Sequence, residues 1–276
     1  MFPSSDIARI VAGRLLRESD EVPLRAIHDS RLVQKGDLFV ALKGARTDGH
    51  AFLEEVFMRG ACGALVSETG TIPENGRNLI VVEDTQAALS SLASAWRSEL
   101  SATFVGITGT CGKTTTKAIL THIMERDLRV FSSPHNYNTE IGLPLALLAM
   151  PPNAQVGIFE LGASAPGEIA PLAALLSPKI AILTMVGHGH LSRFGNVEAI
   201  TQEKWELVRA LPSQGSAIIN LDCPKLSRLA DGWTGEIISV GLQGGMVHGK
   251  IVGAYPGLII EMENPPLRLE TNLLGR

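Results

Sequence analysis

Thr103-Phe-Val-Gly-Ile-Thr-Gly-Thr-Cys-Gly-Lys-Thr-Thr115 runs from an apolar stretch through a glycine-rich turn into a helical pattern. Phe104–Thr108 reads as a strand, and Lys113 to about Arg126 as a helix. Backbone N–H groups in such a turn point inward and cradle phosphate, and the helix dipole favours the anion. Lys113 then reaches the outer phosphates, and Thr114 sets its hydroxyl on Mg²⁺. Gly109, Thr110, Cys111, Gly112, Lys113, Thr114 and Thr115 are therefore candidate phosphate-binding residues. The long form of this motif carries a further Gly five residues before Gly112, where this chain has Ile107. The segment thus matches the short G-x-x-G-K-T core, for which a plain glycine-rich turn is the competing reading.

Beyond this segment the pattern alternates. Val156–Phe159, Ile180–Leu183, Ser216–Ile219 and Glu236–Val240 read as strands. Gly167–Leu176 and Val197–Leu211 read as the helices between them. Such alternation implies a mostly parallel sheet covered on both faces. After residue 249 the pattern changes to short runs, Lys250–Val252, Leu258–Met262 and Leu267–Leu269, expected as antiparallel strands. Before it, residues 1–84 read as a small α/β unit: a helix through Ile7, Ile10, Val11 and Leu15 behind Ser4 and Ser5, and strands at Leu38–Leu42, Ala64–Val66 and Leu79–Val82. Thr85 caps a helix running to Leu100, with Ala88, Leu89, Leu92 and Trp96 on one face. The expected fold class is α/β: an N-terminal α/β substrate domain, 1–84, and a mostly parallel P-loop ATPase domain, 85–276.

Composition narrows the classes. In 276 residues, 45% are apolar and 19% charged, enough apolar content for a core. Lys plus Arg number 24 and Asp plus Glu 28, a net charge of −4. This lacks the basic footprint of a non-specific nucleic-acid binder. Cys62, Cys111 and Cys223 are scattered, so neither a disulfide framework nor a structural zinc site is expected. The N-terminus lacks a signal-peptide pattern, and the longest apolar stretch, Ile169–Val186, is cut by Ser177, Pro178 and Lys179. A cytoplasmic protein that binds no membrane is expected.

Four further segments carry chemistry. Glu160 ends the strand Val156–Phe159, at the edge where ligands of open α/β sheets bind. It can hold Mg²⁺ beside the phosphates or stand as a solvated strand-end acid. His190 follows the next strand in Thr184–Leu191; by residue type alone, a satisfied structural histidine is the commoner outcome. Lys204, in the helix beyond, reads by itself as a solvated lysine. His135–Gly142 holds Asn136 and Asn138 in a polar loop that either binds ligand or caps the next helix. In the first domain, Ser30 and Arg31 lie in one loop cluster and Lys43, Thr47, Asp48 and His50 in another. These clusters either line a ligand pocket or make turns.

Several of these segments together resemble the Mur ligase family of ATP-dependent amide ligases in peptidoglycan precursor synthesis. The resemblance lies in DSRLVQKGDLFVALKGARTDGHAF (29–52), GITGTCGKTTT (106–116), HNYNTEIGLPLALL (135–148), ELGASAPGEIA (160–170), VGHGHL (186–191), EKWEL (203–207) and IINLD (218–222). Segments 135–148 and 160–170 look most like the member that joins D-Ala-D-Ala to UDP-MurNAc-tripeptide. The member adding the third peptide residue shares the first-domain motif but usually has Asn where this chain has Cys111.

The resemblance implies ATP and Mg²⁺ as cofactors, with UDP-MurNAc-peptide and D-Ala-D-Ala as partners. The oligomeric state is not legible from the sequence, and a monomer is favoured. It implies catalytic roles for Lys113, His190 and Lys204. Thr114 and Glu160 would hold one Mg²⁺, and His190 and a carbamylated Lys204 a second. A UDP end would sit on Ser30, Arg31, Lys43, Thr47, Asp48 and His50, while Asn136 and Asn138 would lie between nucleotide and muramoyl substrate. Departures occur at Met185, His188, Gly189, Thr139 and Cys223, none of them a proposed phosphate or metal ligand. The family also carries a third domain that receives the amine, whereas this chain stops at Arg276. The expectation is a two-domain piece whose C-terminal domain is missing, inactive alone. The alternative is a non-catalytic module that binds UDP-sugar and ATP.

Overall fold

A computed structural model describes residues 1–44, 47–67, 77–134, 136–242, 244–253, 257–264 and 266–271. His135 and Arg276, named above, lie outside them, as do Ala45 and Arg46 of the segment 29–52. By packing, the chain divides into Met1–Ala102 with Ser133–Ala154, and Thr103–Ser132 with Gln155–Arg276.

The first unit opens with α1 (Ser4–Ile10), β1 (Arg14–Arg17), β2 (Arg25–Ile27), β3 (Asp37–Val40), α2 (Leu53–Met58), β4 (Gly63–Val66), β5 (Leu79–Val81) and α3 (Thr85–Glu99). Its sheet has the order β1-β5-β4-β3-β2, parallel except for β1. Phe39, Ala64, Val66 and Leu79 on the strands pack with Leu53 and Val56 of α2. The expected first helix ends earlier than its apolar spacing suggested. Ala12 takes φ +51 after the last turn, and Leu15 belongs to β1. A Cβ on Gly13 would lie 2.8 Å from Val82 Cγ1, so only glycine lets the chain turn this close to β5.

Three expected caps were also misplaced. Asp84 caps α3 by accepting from Gln86 N and Ala87 N, while Thr85 donates its hydroxyl to Ala41 O. Ser4 and Ser5 sit inside α1, which starts after Pro3 without a side-chain cap.

The chain next enters the second unit with β6 (Thr103–Thr108), α4 (Lys113–Met124) and β7 (Val130–Ser132). It returns for α5 (Gly142–Ala149), nearly all of it buried, which packs on α3 and β2 of the first unit. The expected boundary after residue 84 is therefore displaced. Burial of the apolar face of α3 against α1 and α5 carries the first unit to Ala102 and brings residues 133–154 back to it.

The second unit continues with β8 (Val156–Glu160), α6 (Ile169–Leu176), β9 (Ile180–Leu183), α7 (Leu191–Phe194), α8 (Val197–Arg209), β10 (Ser216–Asn220), α9 (Pro224–Asp231), β11 (Glu236–Gly241), β12 (Val247–Gly253), β13 (Ile259–Asn264) and β14 (Pro266–Glu270). The sheet order is β14-β13-β12-β11-β10-β9-β6-β8-β7. Strands β7 to β12 are parallel, and β12-β13-β14 form the antiparallel tail expected from the sequence. β8 is buried along its whole length and β6 and β9 almost so, as befits parallel strands covered on both faces. On one face Val105, Ile107, Ile158 and Ile182 meet Leu120 and Met124 of α4. On the other, a Cβ on Gly106 would lie 2.8 Å from Leu207 Cδ1, so glycine admits α8 close against β6. Among the described residues, no helix is long and apolar enough to cross a membrane.

Candidate functional site

Three neighbouring strands place the candidate groups on one edge. β6 pairs with β8 so that Ile107 faces Glu160, and with β9 so that Thr108 faces Leu183. All run parallel, so the segments after Thr108, Glu160 and Leu183 leave the same carboxyl edge, where open α/β sheets bind ligands. Gly109 has φ +151 and Gly112 φ +85, both in the region that favours glycine. The loop is braced from β9: Thr110 N donates to Met185 O at 2.7 Å, Thr184 Oγ1 to Cys111 O at 2.6 Å, and Gly187 N to Thr110 Oγ1 at 3.0 Å. Lys113 opens α4 and donates to Gly109 O at 2.7 Å, which lays its ammonium over the loop.

Thr114, the next residue, donates to Glu160 Oε2 at 3.1 Å. One helical turn on, Lys117 sets its ammonium 2.9 Å from Glu160 Oε1, with both side chains 6% exposed. Thr114 and Lys117 are three residues apart and share a helix face, so both reach one carboxylate.

Lys204 is 3% exposed. It lies three residues before Leu207, on the face of α8 that meets β6. In a β-α-β arrangement the helix returns antiparallel to the strands, so this earlier turn lies toward the carboxyl edge. The Lys204 ammonium is lowered to about 8: burial is the main cause, the Lys113 ammonium adds to it, and Glu203 and Glu168 oppose. Only the reading of Lys204 by itself, as a solvated lysine, is corrected: packing of α8 on the sheet removes it from water, as the carbamylated role implied by the resemblance requires. Its neighbour Glu203 is also buried and accepts from Gly167 N and Ile169 N at 2.7 Å each, tying α8 to the start of α6. His190 is exposed, with φ +58, at the start of α7. A Cβ on the preceding Gly189 would lie 2.5 Å from Thr110 Cγ2, so its backbone runs against the glycine-rich loop.

The donor set fits Mg²⁺. Thr114 and Glu160 offer a hydroxyl and a carboxylate oxygen already within hydrogen-bonding distance of each other. Mg²⁺ takes one or two such protein oxygens and completes its octahedron with phosphate and water. Among the described residues there is no cluster of three or more His, Cys, Asp and Glu side chains suited to a metal. Lys204 could join such a site only as a carbamate, since an ammonium has no lone pair to offer. A lowered pKa favours the neutral amine that carbamylation needs.

In the first unit a cavity of about 570 Å³ is lined by residues that include His28, Ser30, Arg31, Thr47, Glu55 and Ile141. Ser30, Arg31 and Thr47 are thus brought together. Lys43, Asp48 and His50 are not among its lining residues. Asp48 accepts from His50 N and pairs with His50 Nδ1 at 2.6 Å, and His50 Nε2 accepts from Ser67 N at 2.9 Å. That pair braces the turn. Asp29 is held at about 2, chiefly by its bonds from Arg31. Burial pushes His28 down. Asn136 is exposed with φ +68 and Asn138 half-buried, in the segment leading to Ile141 on the cavity wall.

Sequence reading missed Lys117, Glu203, His28, Glu55 and Ile141. Lys117 carried one signal, its placement one turn after Lys113 and Thr114. The others become visible only when distant segments pack.

A parallel sheet with a G-x-x-G-K-T loop at its carboxyl edge defines a P-loop protein of the α/β class. The description "Mur ligase middle domain" matches residues 107–276, and "Mur ligase family, catalytic domain" matches 27–97. UDP-N-acetylmuramoyl-tripeptide--D-alanyl-D-alanine ligase of Bacillus subtilis (strain 168) is 37% identical over 225 residues, covering 80% of this chain and 49% of the relative. The protein of the same name from Synechocystis sp. is 36% identical over 246 residues, 87% of this chain and 53% of the relative. MurF ligase from Thermotoga maritima, solved in complex with ADP, superposes with a TM-score of 0.78 at 34% identity, covering 89% of this chain and 57% of that one. The corresponding D-alanyl-D-alanyl ligase from Acinetobacter baumannii gives 0.85 at 28% identity, over 95% and 58%. The chain belongs to the Mur ligase family. It spans about half the length of the curated relatives it matches.

Proposed function

We propose that the chain carries the nucleotide and UDP-sugar ends of a cytoplasmic, monomeric, ATP-dependent ligase that joins D-Ala-D-Ala to UDP-MurNAc-tripeptide. The tripeptide carboxylate attacks the terminal phosphorus of ATP and ADP leaves, forming an acyl phosphate. The D-Ala-D-Ala amine then attacks the acyl carbon, phosphate departs and the nitrogen loses a proton. The observation that carries this reading is the Thr114–Glu160 pair beneath the Lys113 loop, in a chain whose relatives bear that name.

In this reading the second unit takes ATP. Loop N–H groups and Lys113 bind and orient its phosphates and offset the charge on the transferring group. Thr114 and Glu160 hold one Mg²⁺, and His190 with a carbamylated Lys204 a second. Bound Mg²⁺ supplies charge neutralisation at the phosphoryl oxygens. The first unit takes the UDP end at Ser30, Arg31 and Thr47, with Lys43 nearby. Asn136 and Asn138 serve the muramoyl part of the substrate. The second reading is a module that binds UDP-sugar and ATP without turnover.

Calorimetry with UDP-MurNAc-tripeptide and with ATP–Mg²⁺, beside phosphate release on adding D-Ala-D-Ala, separates these readings. Binding of both ligands is expected, with ATP binding lost in Lys113→Ala. Release that requires both substrates supports the ligase, and binding without release supports the module. Failure to bind the UDP-sugar sinks both.

A further inference from the structure

Lys117 is the charged residue of α4 that the proposed phosphate chemistry leaves unused. Its side chain is almost fully buried, and so is that of Glu160. The two Glu160 oxygens therefore face different partners: Oε1 the Lys117 ammonium at 2.9 Å, Oε2 the Thr114 hydroxyl at 3.1 Å. A carboxylate divided in this way offers a cation one oxygen. Releasing Oε1 as well would leave a buried ammonium without its counter-charge, which is strongly unfavourable.

One-oxygen and two-oxygen carboxylates suit different cations. Mg²⁺ is small, demands a near-octahedral shell and is held through few protein oxygens. Ca²⁺ takes six to eight oxygens at longer distances and readily accepts both oxygens of a carboxylate. We propose that Lys117 is a specificity-determining positioning residue: by engaging Oε1 it confines Glu160 to one-oxygen ligation and sets the preference of the nucleotide site for Mg²⁺ over Ca²⁺. This rests on the reading of Thr114 and Glu160 as cation ligands.

The test compares ADP affinity by calorimetry in Mg²⁺ and in Ca²⁺, for the whole chain and for Lys117→Met and Lys117→Arg. Thermal unfolding with each cation gives a second readout that needs no turnover. The unaltered protein binds ADP more tightly with Mg²⁺. In Lys117→Met the Mg²⁺-to-Ca²⁺ affinity ratio falls by about tenfold or more, the usual scale for losing a partner that orients a metal ligand. Lys117→Arg, whose guanidinium can still engage Oε1, recovers part of the ratio. A purely structural lysine would lower both affinities together and leave the ratio unmoved, and that result overturns the proposal. So does an unaltered protein that shows no Mg²⁺ preference, a measurement independent of whether Lys117→Met folds. ADP binding that is absent with either cation overturns the underlying reading of the phosphate loop, and the inference with it.

Discussion

Thr184 donates its hydroxyl to the carbonyl of Cys111 at 2.6 Å, and in doing so occupies the space beside Gly109 where a side chain would begin. The residue after β9 thereby shapes the glycine-rich loop that follows β6. A Cβ on Gly109 would overlap Thr184 Oγ1, at a backbone φ of +151. Gly109→Ala should therefore cost about 3 kcal/mol in urea unfolding, from overlap and backbone strain together. Adding Thr184→Ala should recover part of that loss by removing the hydroxyl. A double-mutant cycle with no coupling would refute the contact.

Lys204 gives a pH signature. Its ammonium is held at about 8 in the folded chain, below the 10.5 of an exposed lysine, mainly by burial. Between these values the unfolded chain binds more protons, so this group's contribution to stability rises with pH. Below about 8 the lysine is charged in both states and the full penalty stands. Lys204→Met should thus raise stability at neutral pH by about 2–3 kcal/mol, with the gain shrinking to little above pH 10.5. Unfolding midpoints of both proteins measured from pH 7 to 11 check the sign. A difference that is flat across that range would contradict it.

His50 and Arg31 were both candidates for the UDP end, and the structure separates them. The His50 ring is 11% exposed and bonded at both nitrogens, whereas Arg31 is 82% exposed and borders the cavity. His50→Ala should lose about 1–3 kcal/mol of stability through Asp48 and Ser67. Arg31→Ala should change stability by less than about 0.5 kcal/mol and weaken UDP-sugar binding by about tenfold. The reverse pattern in denaturation and calorimetry would reassign both residues.

Glu203 accepts two backbone N–H bonds at the entrance to α6. In Glu203→Gln one carboxylate oxygen becomes an NH₂ group facing a donor. A loss of about 2 kcal/mol is expected, with a larger one in Glu203→Ala. Because Glu203 adjoins Lys204, the substitution should also shift Lys204 titration, readable by NMR of the labelled lysine. An unchanged unfolding midpoint would show that α6 starts without this support.

Local chemistry made much of the site legible. A glycine at positive φ, a lysine opening a helix and an acid ending a buried strand are each announced by their immediate neighbours. Parallel strands then require Glu160 and the loop after β6 to share an edge. Lys117 was hidden for the opposite reason: Lys-Thr-Thr-Thr-Lys reads as a polar helix start, and its burial depends on an acid at the end of another strand. The short β1 and β2 were equally obscure, since an edge strand of three or four residues has too little alternation to stand out from a loop.

The sequence by itself determined the alternation of strands and helices, the antiparallel tail and the glycine-rich turn that opens a helix, because side-chain periodicity and turn stereochemistry are properties of adjacent residues; the family came from the resemblance of several separated motifs. Only the tertiary structure decided which unit holds α3 and α5, that Lys204 is buried, that His50 braces a turn, and that Lys117 grips Glu160. Each of these depends on desolvation by segments far away in the chain. Removal from water changes the protonation and bonding of a charged group far more than its sequence neighbours do.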